Sequence, residues 1–324
     1  MSVIKSLSLC ARVTLDMHSL NNEGTEGNQQ MTRMVHVIDQ KGEHQVVNAI
    51  SGDMIKHVLV EHLTPLLAEA KQPLSHAAAD FNPDRILVDT AFLEFAKDKA
   101  HTNDAVLGYM LQHCAVTDIA GALYAEKAVA RKSCAEFGWV VGLPENTVTE
   151  QYFHVKYDPG RGKSAGGDSV QGKQAIFHRP ASSGIYALIC NLDLGRIGLN
   201  DITRRHEIDA GAKKLRSQAL LRALAASLMH PTGAQRNTQA PHILACEGIV
   251  TWSGTSLPAP ALSPLQDNYA EQVEKCVAAL GRIDGAELKC QRFGTMAAAI
   301  ELLTGLAAEL EMPAGGSHAP QAKA

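Results

Sequence analysis

The residues best suited to chemistry lie between Asn21 and His57, in the stretch NNEGTEGNQQMTRMVHVIDQKGEHQVVNAISGDMIKH. Amides and glycines come first, then Arg33, then Ile50-Ser51-Gly52-Asp53 with Lys56 and His57 close behind. Ser51 is a suitable N-cap, and Asp53 sits where the positive end of a helix favours an acid. Unpaired N–H groups at a helix start, with basic side chains nearby, suit a polyanion. The competing reading is a solvated loop beside an ordinary capped helix, because every helix has such a start. Other constellations are weaker. Gly160-Arg161-Gly162-Lys163-Ser164 resembles the end of a phosphate loop, but Tyr157 stands where the first glycine is needed and no helix start follows. The chain has 14 histidines, yet no H-E-x-x-H, and His57 and His62 do not share a helix face. There is no Gly-x-Ser-x-Gly and no Gly-x-Gly-x-x-Gly after a strand. His178-Arg179-Pro180 reads equally as a phosphate contact or a solvated strand end. Cys114 and Cys134 form half of a zinc site without a second pair. No metal and no cofactor is therefore expected.

The elements that must hold these residues can be read from periodicity. Leu7, Leu9, Ala11, Val13, Leu15 and Met17 alternate with polar residues, which predicts a half-buried first strand. Asn21 to Gln30 reads as a loop. Val35, Val37, Val46, Val47 and Ile50 predict two short strands turning at Gln40-Lys41-Gly42. A helix follows from Ser51 to about Ala70. Lys71 to Ala79 is a loop, Asn82-Pro83 a turn, and Asp89 to Ala130 reads as helical. Phe137 to Leu143 predicts a strand stopped by Pro144. Gln151 to His178 reads as a hairpin with a glycine-rich basic tip. Then come a strand from Tyr186 to Leu194 and a helix from Asp209 to Met229, buried through Leu215, Leu221, Leu224 and Leu228. A strand from Ile243 to Trp252, a helix from Ser263 to Gly281, a strand from Leu288 to Phe293 and a helix from Met296 to Leu310 complete the order. Such a succession suits an α+β sheet of the ferredoxin-like type with helices on one face. The last residues, 312–324, are low in complexity and expected to be disordered.

Bulk numbers narrow the function classes. The 324 residues are 45% hydrophobic and 20% charged, as in a soluble globular protein with a sizeable core. Thirty basic residues against 34 acidic ones exclude a protein that coats nucleic acid by overall charge, though a local patch suffices. Seven dispersed cysteines read as reduced thiols, and no run is long enough to span a membrane, so a cytoplasmic location is expected. Basic or amide-rich segments recur at Asn21 to Arg33, Arg131 to Ser133, Lys156 to Arg179 and Gln235 to Asn237. Aromatics are only 5%, so a base-stacking platform is poorly supplied and contacts should fall on the phosphate backbone.

Four stretches in this order resemble a known family. They are the first strand running into Leu20-Asn21-Asn22-Glu23-Gly24 and Gly27-Asn28; Ile50 to His57; Cys114 to Leu123 with Arg131-Lys132-Ser133 and Phe137 to Gly142; and the Gly233-Ala234-Gln235-Arg236 loop after a long alanine- and leucine-rich helix. The chain is similar to the DevR-type backbone subunit of the type I CRISPR Cascade complex, which coats the guide RNA (crRNA). The resemblance implies a modified RNA-recognition-motif palm (1–70, 136–150 and 181–311). It also implies a helical fingers insertion (71–135) and a β-hairpin thumb (151–180). It implies crRNA, further copies of the chain, other Cascade subunits and, through guide pairing, target DNA as partners. Expected crRNA contacts are Asn21, Asn22, Gly24, Asn28, Arg33, Ser51, Gly52, Lys56, His57, Arg131, Ser133, Gln235, Arg236 and Asn237. Lys156, Arg161, Lys163, Lys173, His178 and Arg179 are expected to act from the thumb. RNA-cleaving relatives in type III complexes carry an aspartate after the first strand. Here that segment has Glu23 and Glu26 instead, so a non-catalytic role is expected, with a ribonuclease using Glu23 or Asp53 as the alternative. A metabolic α+β enzyme is a third reading, with no convergent pocket in the sequence to support it.

Overall fold

A computed structural model describes residues 3–156, 175–232, 236–283 and 285–310. Its centre is an antiparallel sheet, and the class is mixed α+β. The spine is β1 (Ser6–His18), paired on one side with β10 (Ala175–Asp193) and on the other with β11 (His242–Ser253). β10 continues to β9 (Val140–Lys156), β9 to β5 (His44–Ile50), and β5 to β4 (Met34–Ile38). β12 (Leu288–Phe293) closes the opposite edge on β11. Short β8 (Ala135–Phe137) extends the β9 side of β10.

One face of the sheet carries α1 (Gly52–Glu69), α6 (Ala210–Met229) and α8 (Met296–Glu309). Each begins on a side-chain cap. Ser51 Oγ accepts from Met54 N, Asp209 Oδ1 from Ala212 N, and Thr295 Oγ1 from Ala298 N. The other face is not left to solvent, as the single-sided expectation required. α7 (Tyr269–Leu280) seats Tyr269 and Val273 over Cys10 and Ile249. Leu7 through Ala11 are consequently buried on both sides of β1. α7 also starts later than the periodicity from Ser263 implied.

Four further expectations are corrected. Asn21 to Gln30 is not a loop but the start of a hairpin, β2 (Asn22–Glu26) with β3 (Gln29–Thr32), turning at Gly27 with φ 61°. Exposed polar residues alternate no apolar stripe there, so period two gave no signal. The helical run from Asp89 ends early. α2 (His76–Ala79) precedes it, α3 (Thr90–Lys97), α4 (Asn103–His113) and α5 (Ala115–Ala120) follow, and then β6 (Ala122–Tyr124) pairs with β7 (Val129–Arg131). Gly121 makes that break at φ 82°, with a would-be Cβ only 2.6 Å from the Arg131 carbonyl. Pro144 does not stop its strand either. Register jumps from Gly184↔Thr147 to Tyr186↔Gly142, so Pro144 rides in a bulge and owes no ladder N–H. Leu215 is 41% exposed, whereas Leu221, Leu224 and Leu228 are buried.

Candidate functional site

The first turn of α1 is held by two distant strands. Ser51 N donates to Asn21 Oδ1 at 2.7 Å, which ties the exit of β1 to the helix start. Gly52 packs so closely that a Cβ there would lie 2.6 Å from the Phe137 carbonyl oxygen at the end of β8. The N–H groups of Gly52 and Asp53 have no intrahelical acceptor and point out of this corner. Around it Arg33, Ser51, Lys56, Lys132, Ser133 and Trp139 line a depression of about 310 Å³. The Arg33 guanidinium lies 5.2 Å from the Trp139 ring centre and pairs with the Glu23 carboxylate. Lys132 pairs with Glu136 on the exposed rim at 2.6 Å. Lys56 is half-buried and, among the described residues, makes no hydrogen bond or salt bridge. Burial, and then the nearby Arg85 guanidinium, hold its ammonium below the ordinary lysine value. Among described residues, then, the corner offers an under-solvated cation that no carboxylate bonds directly, with Asp53 and Glu136 also in the lining, beside free helix N–H groups. Helix-start N–H groups beside a cation are the kind of donors that suit an anion.

A second group adjoins it through the β2–β3 hairpin. β3 meets β10 in one parallel bridge at Gln29 and His178, and His178 N donates to the Asn28 carbonyl at 2.9 Å. The hairpin thereby occupies the place beside β10 that β1 vacates after His18. Gly24 and Asn28 are exposed on it. Arg179 stacks over Phe177 at 4.9 Å and donates to Thr238 Oγ1 at 3.2 Å. Gln239 Nε2 donates to the Pro180 carbonyl at 3.1 Å, so the segment after α6 is pinned to the same place. In that segment Arg236 reaches His230, Nη1 to Nε2, at 2.9 Å, and Asn237 is exposed. His57 is exposed on α1 with its ring 5.0 Å from Phe81.

Two expected contacts, Arg131 and Asn21, do not reach this surface. The Arg131 guanidinium is wholly buried. It donates to Asp118 Oδ1 at 2.8 Å and Asp201 Oδ2 at 3.0 Å, and to the carbonyls of Asp118, Leu199 and Arg196. Arg216 joins the same Asp118 carboxylate at 2.7 Å, making a buried charge cluster between α5, β7 and α6. An arginine so engaged has no donor left for a ligand. Asn21 is buried, its side-chain oxygen used by Ser51 N. Ser133 lines the depression, but its hydroxyl donates to the Ala135 carbonyl at 2.7 Å and closes a turn. Asn22 is half-buried, with Oδ1 accepting from Ser19 Oγ. Gln235, Arg161, Lys163 and Lys173, and the side chain of Lys156, lie outside the described residues.

Sequence reasoning passed over Lys132, Trp139 and Arg85. Lys132 stands between the two residues chosen from its segment, just past the end of β7, and is exposed where Arg131 is buried. Trp139 is 45% exposed, an unusual position for a tryptophan, and it stands in the quoted Phe137-Gly138-Trp139 stretch.

A family model described as CRISPR-associated negative auto-regulator DevR/Csa2 matches residues 9–274. A relative from Methanocaldococcus jannaschii, "CRISPR-associated protein Cas7/Cst2/DevR", is 26% identical over 266 residues, which is 78% of this chain and 82% of the relative. A chain of a solved "CRISPR RNA-guided surveillance complex, pre-nicking" superposes with a TM-score of 0.51 at 13% identity, covering 93% of this chain and 99% of that one. A chain of a second "CRISPR RNA-guided surveillance complex" gives 0.50 at 14% identity, covering 94% and 98%. At such identities these two likenesses are of fold.

Proposed function

Because the chain belongs to the CRISPR-associated DevR/Csa2 family, we propose that it is a non-catalytic backbone subunit of a CRISPR surveillance complex. Copies line up along crRNA and present it for pairing with target DNA, alongside the other subunits of the complex. The observation that carries this reading is the corner at the start of α1. Arg33, the helix-start N–H groups and Lys56, which has no hydrogen bond or salt bridge among the described residues, meet there, and the hairpin of Asn28 joins the same strand, β10, as the segment of Arg236. Contacts of this kind hold phosphates and read no sequence, as a scaffold for many different guides requires. The sheet with α1, α6 and α8 serves as palm, the helical segment 71–135 as fingers, and the far arms of β9 and β10 as thumb. A head-to-tail contact between copies is heterologous and leaves the filament open.

The non-catalytic part of the proposal draws on Glu23, whose carboxylate is engaged by Arg33 and so is poorly placed as a general base. The decisive experiment titrates RNA binding against salt for the wild type, Lys56→Ala and Lys132→Ala. Each lost phosphate contact is expected to make the log–log slope shallower by roughly 0.7, equally for all guide sequences. Unchanged slopes in both variants would remove the α1 corner from the RNA path. Incubating the assembled complex with complementary RNA and a divalent metal checks the other half. Regular cleavage that Glu23→Ala abolishes would replace the scaffold by a ribonuclease.

A further inference from the structure

Behind Lys56, on the side away from the Ser51 corner, α1 faces the segment that leads out of α2. Between them is a second basin of about 320 Å³, lined by Asp53, Lys56, His57, Phe81, Asn82 and Arg85. Lys56 and Asp53 line both hollows, so the two are neighbours along one face of the helix start. Two cations, Lys56 and Arg85, stand among the basin's polar residues. Among the described residues Lys56 has no hydrogen bond or salt bridge, and the Arg85 side chain donates only from Nη1, to the Gly121 carbonyl at 2.5 Å. Asp53 is the one carboxylate of the lining, and it stands exposed at the helix start. Burial lowers the proton affinity of both cations, and each half-buried charge lies within electrostatic reach of the other. Like charges held together away from bulk water favour an anion between them.

The backbone gives an independent sign. Phe81 and Arg85 have φ of 58° and 50°, left-handed values that a non-glycine side chain rarely adopts. Both residues line the basin from the wall opposite α1. Strain of this kind persists where the surrounding structure holds it, and it clusters at ligand sites. Phe81 offers an aromatic surface there, with the His57 ring edge-on to it at 5.0 Å.

We propose that this basin binds one nucleotide of single-stranded RNA, its phosphate between Lys56 and Arg85 and its base against Phe81. The inference rests on the RNA-binding reading above and adds a base-contacting subsite to a surface otherwise made for phosphates. Lys56 then serves two successive phosphates, one in each hollow, and the insertion supplies the far wall of the second.

The test uses the full-length protein and a uridine-rich single-stranded RNA. Arg85→Gln is expected to lower affinity and flatten the salt slope by roughly 0.7, while Arg85→Lys restores the slope. Ultraviolet crosslinking of the wild type, mapped by peptide mass, is expected to attach uridine to the peptide carrying Phe81. If the wild type binds RNA but Arg85→Gln keeps both affinity and slope, the subsite is wrong and the scaffold reading stands. If the wild type binds no RNA, both fall together. Should Arg85→Gln fail to fold, the crosslink decides alone: a map that omits Phe81 while marking other peptides overturns the subsite.

Discussion

His18 ends β1 with its ring buried edge-on against Tyr186 at 4.9 Å. Its Nδ1 accepts from Leu20 N at 3.4 Å, and its Nε2 has no hydrogen-bond partner among the described residues. Burial pushes the imidazole from 6.5 down to about 4. The folded protein therefore keeps His18 neutral while the unfolded chain gains a proton below pH 6.5. Stability is unaffected above that pH, falls as pH drops from about 6.5 to about 4, and levels off once both states are protonated. The full loss is about 3 kcal/mol by linkage. His18→Phe is expected to remove this part of the pH dependence, read as a smaller difference in urea midpoint between pH 7 and pH 4.5. An unchanged difference would show that His18 does not titrate in this window. A periodicity reading of β1 reaches as far as Met17 and is silent on His18, because alternation says which face a side chain takes and nothing about its proton.

At the scale of elements, the site depends on how α1 meets β8. Gly52 opens the helix under the Phe137 carbonyl, and a methyl group there would sit 2.6 Å from that oxygen. Gly52→Ala must push the helix start and the end of β8 apart. The expected cost is about 1–3 kcal/mol, as for other overpacked contacts. RNA affinity should fall further than stability alone accounts for, since Ser51, Lys56 and Trp139 shift relative to one another. Thermal unfolding and RNA titration of the same preparation separate the two effects. A variant with wild-type Tm and affinity would mean that this junction gives way freely. Ser51 as N-cap and the helix that follows were legible in the sequence because capping is local: one hydroxyl, three residues and a β-region backbone are sufficient. The closeness of Phe137 was not, since it lies 85 positions away in the chain and no periodicity links the two.

For the whole molecule, the longest ladder is the pairing of β9 with β10, which runs from Val141↔Ala187 out to Lys156↔Ala175. The core side of β10 is sandwiched between β1 and β9, so the sheet does not depend on the segment joining the two far arms. Replacing Arg161 to Lys173 by a short Gly-Ser linker is expected to leave the unfolding midpoint within error. Assembly along RNA should weaken, because Arg161 and Lys163 are removed from the proposed thumb. Equal complex size at equal concentration, measured by light scattering, would end the thumb assignment. By itself the sequence determined the α+β class, the strand identity of β1, β4, β5, β11 and β12, and the helices α1, α6 and α8. Period two, period 3.6 and helix caps are all written within a dozen residues of chain. Tertiary structure alone decided three other matters. It set α7 on the second face of the sheet over Cys10 and Ile249, which alternation along β1 could not distinguish from solvent. It drew Arg131 inward to Asp118 and turned Lys132 outward, although the two are adjacent and equally basic. And it brought Arg33, Lys56 and Trp139 around one depression. Charge type is a property of a residue, whereas burial and partnership belong to the packed chain. A basic segment in sequence therefore shows that cations are present and leaves to the fold which of them face a ligand.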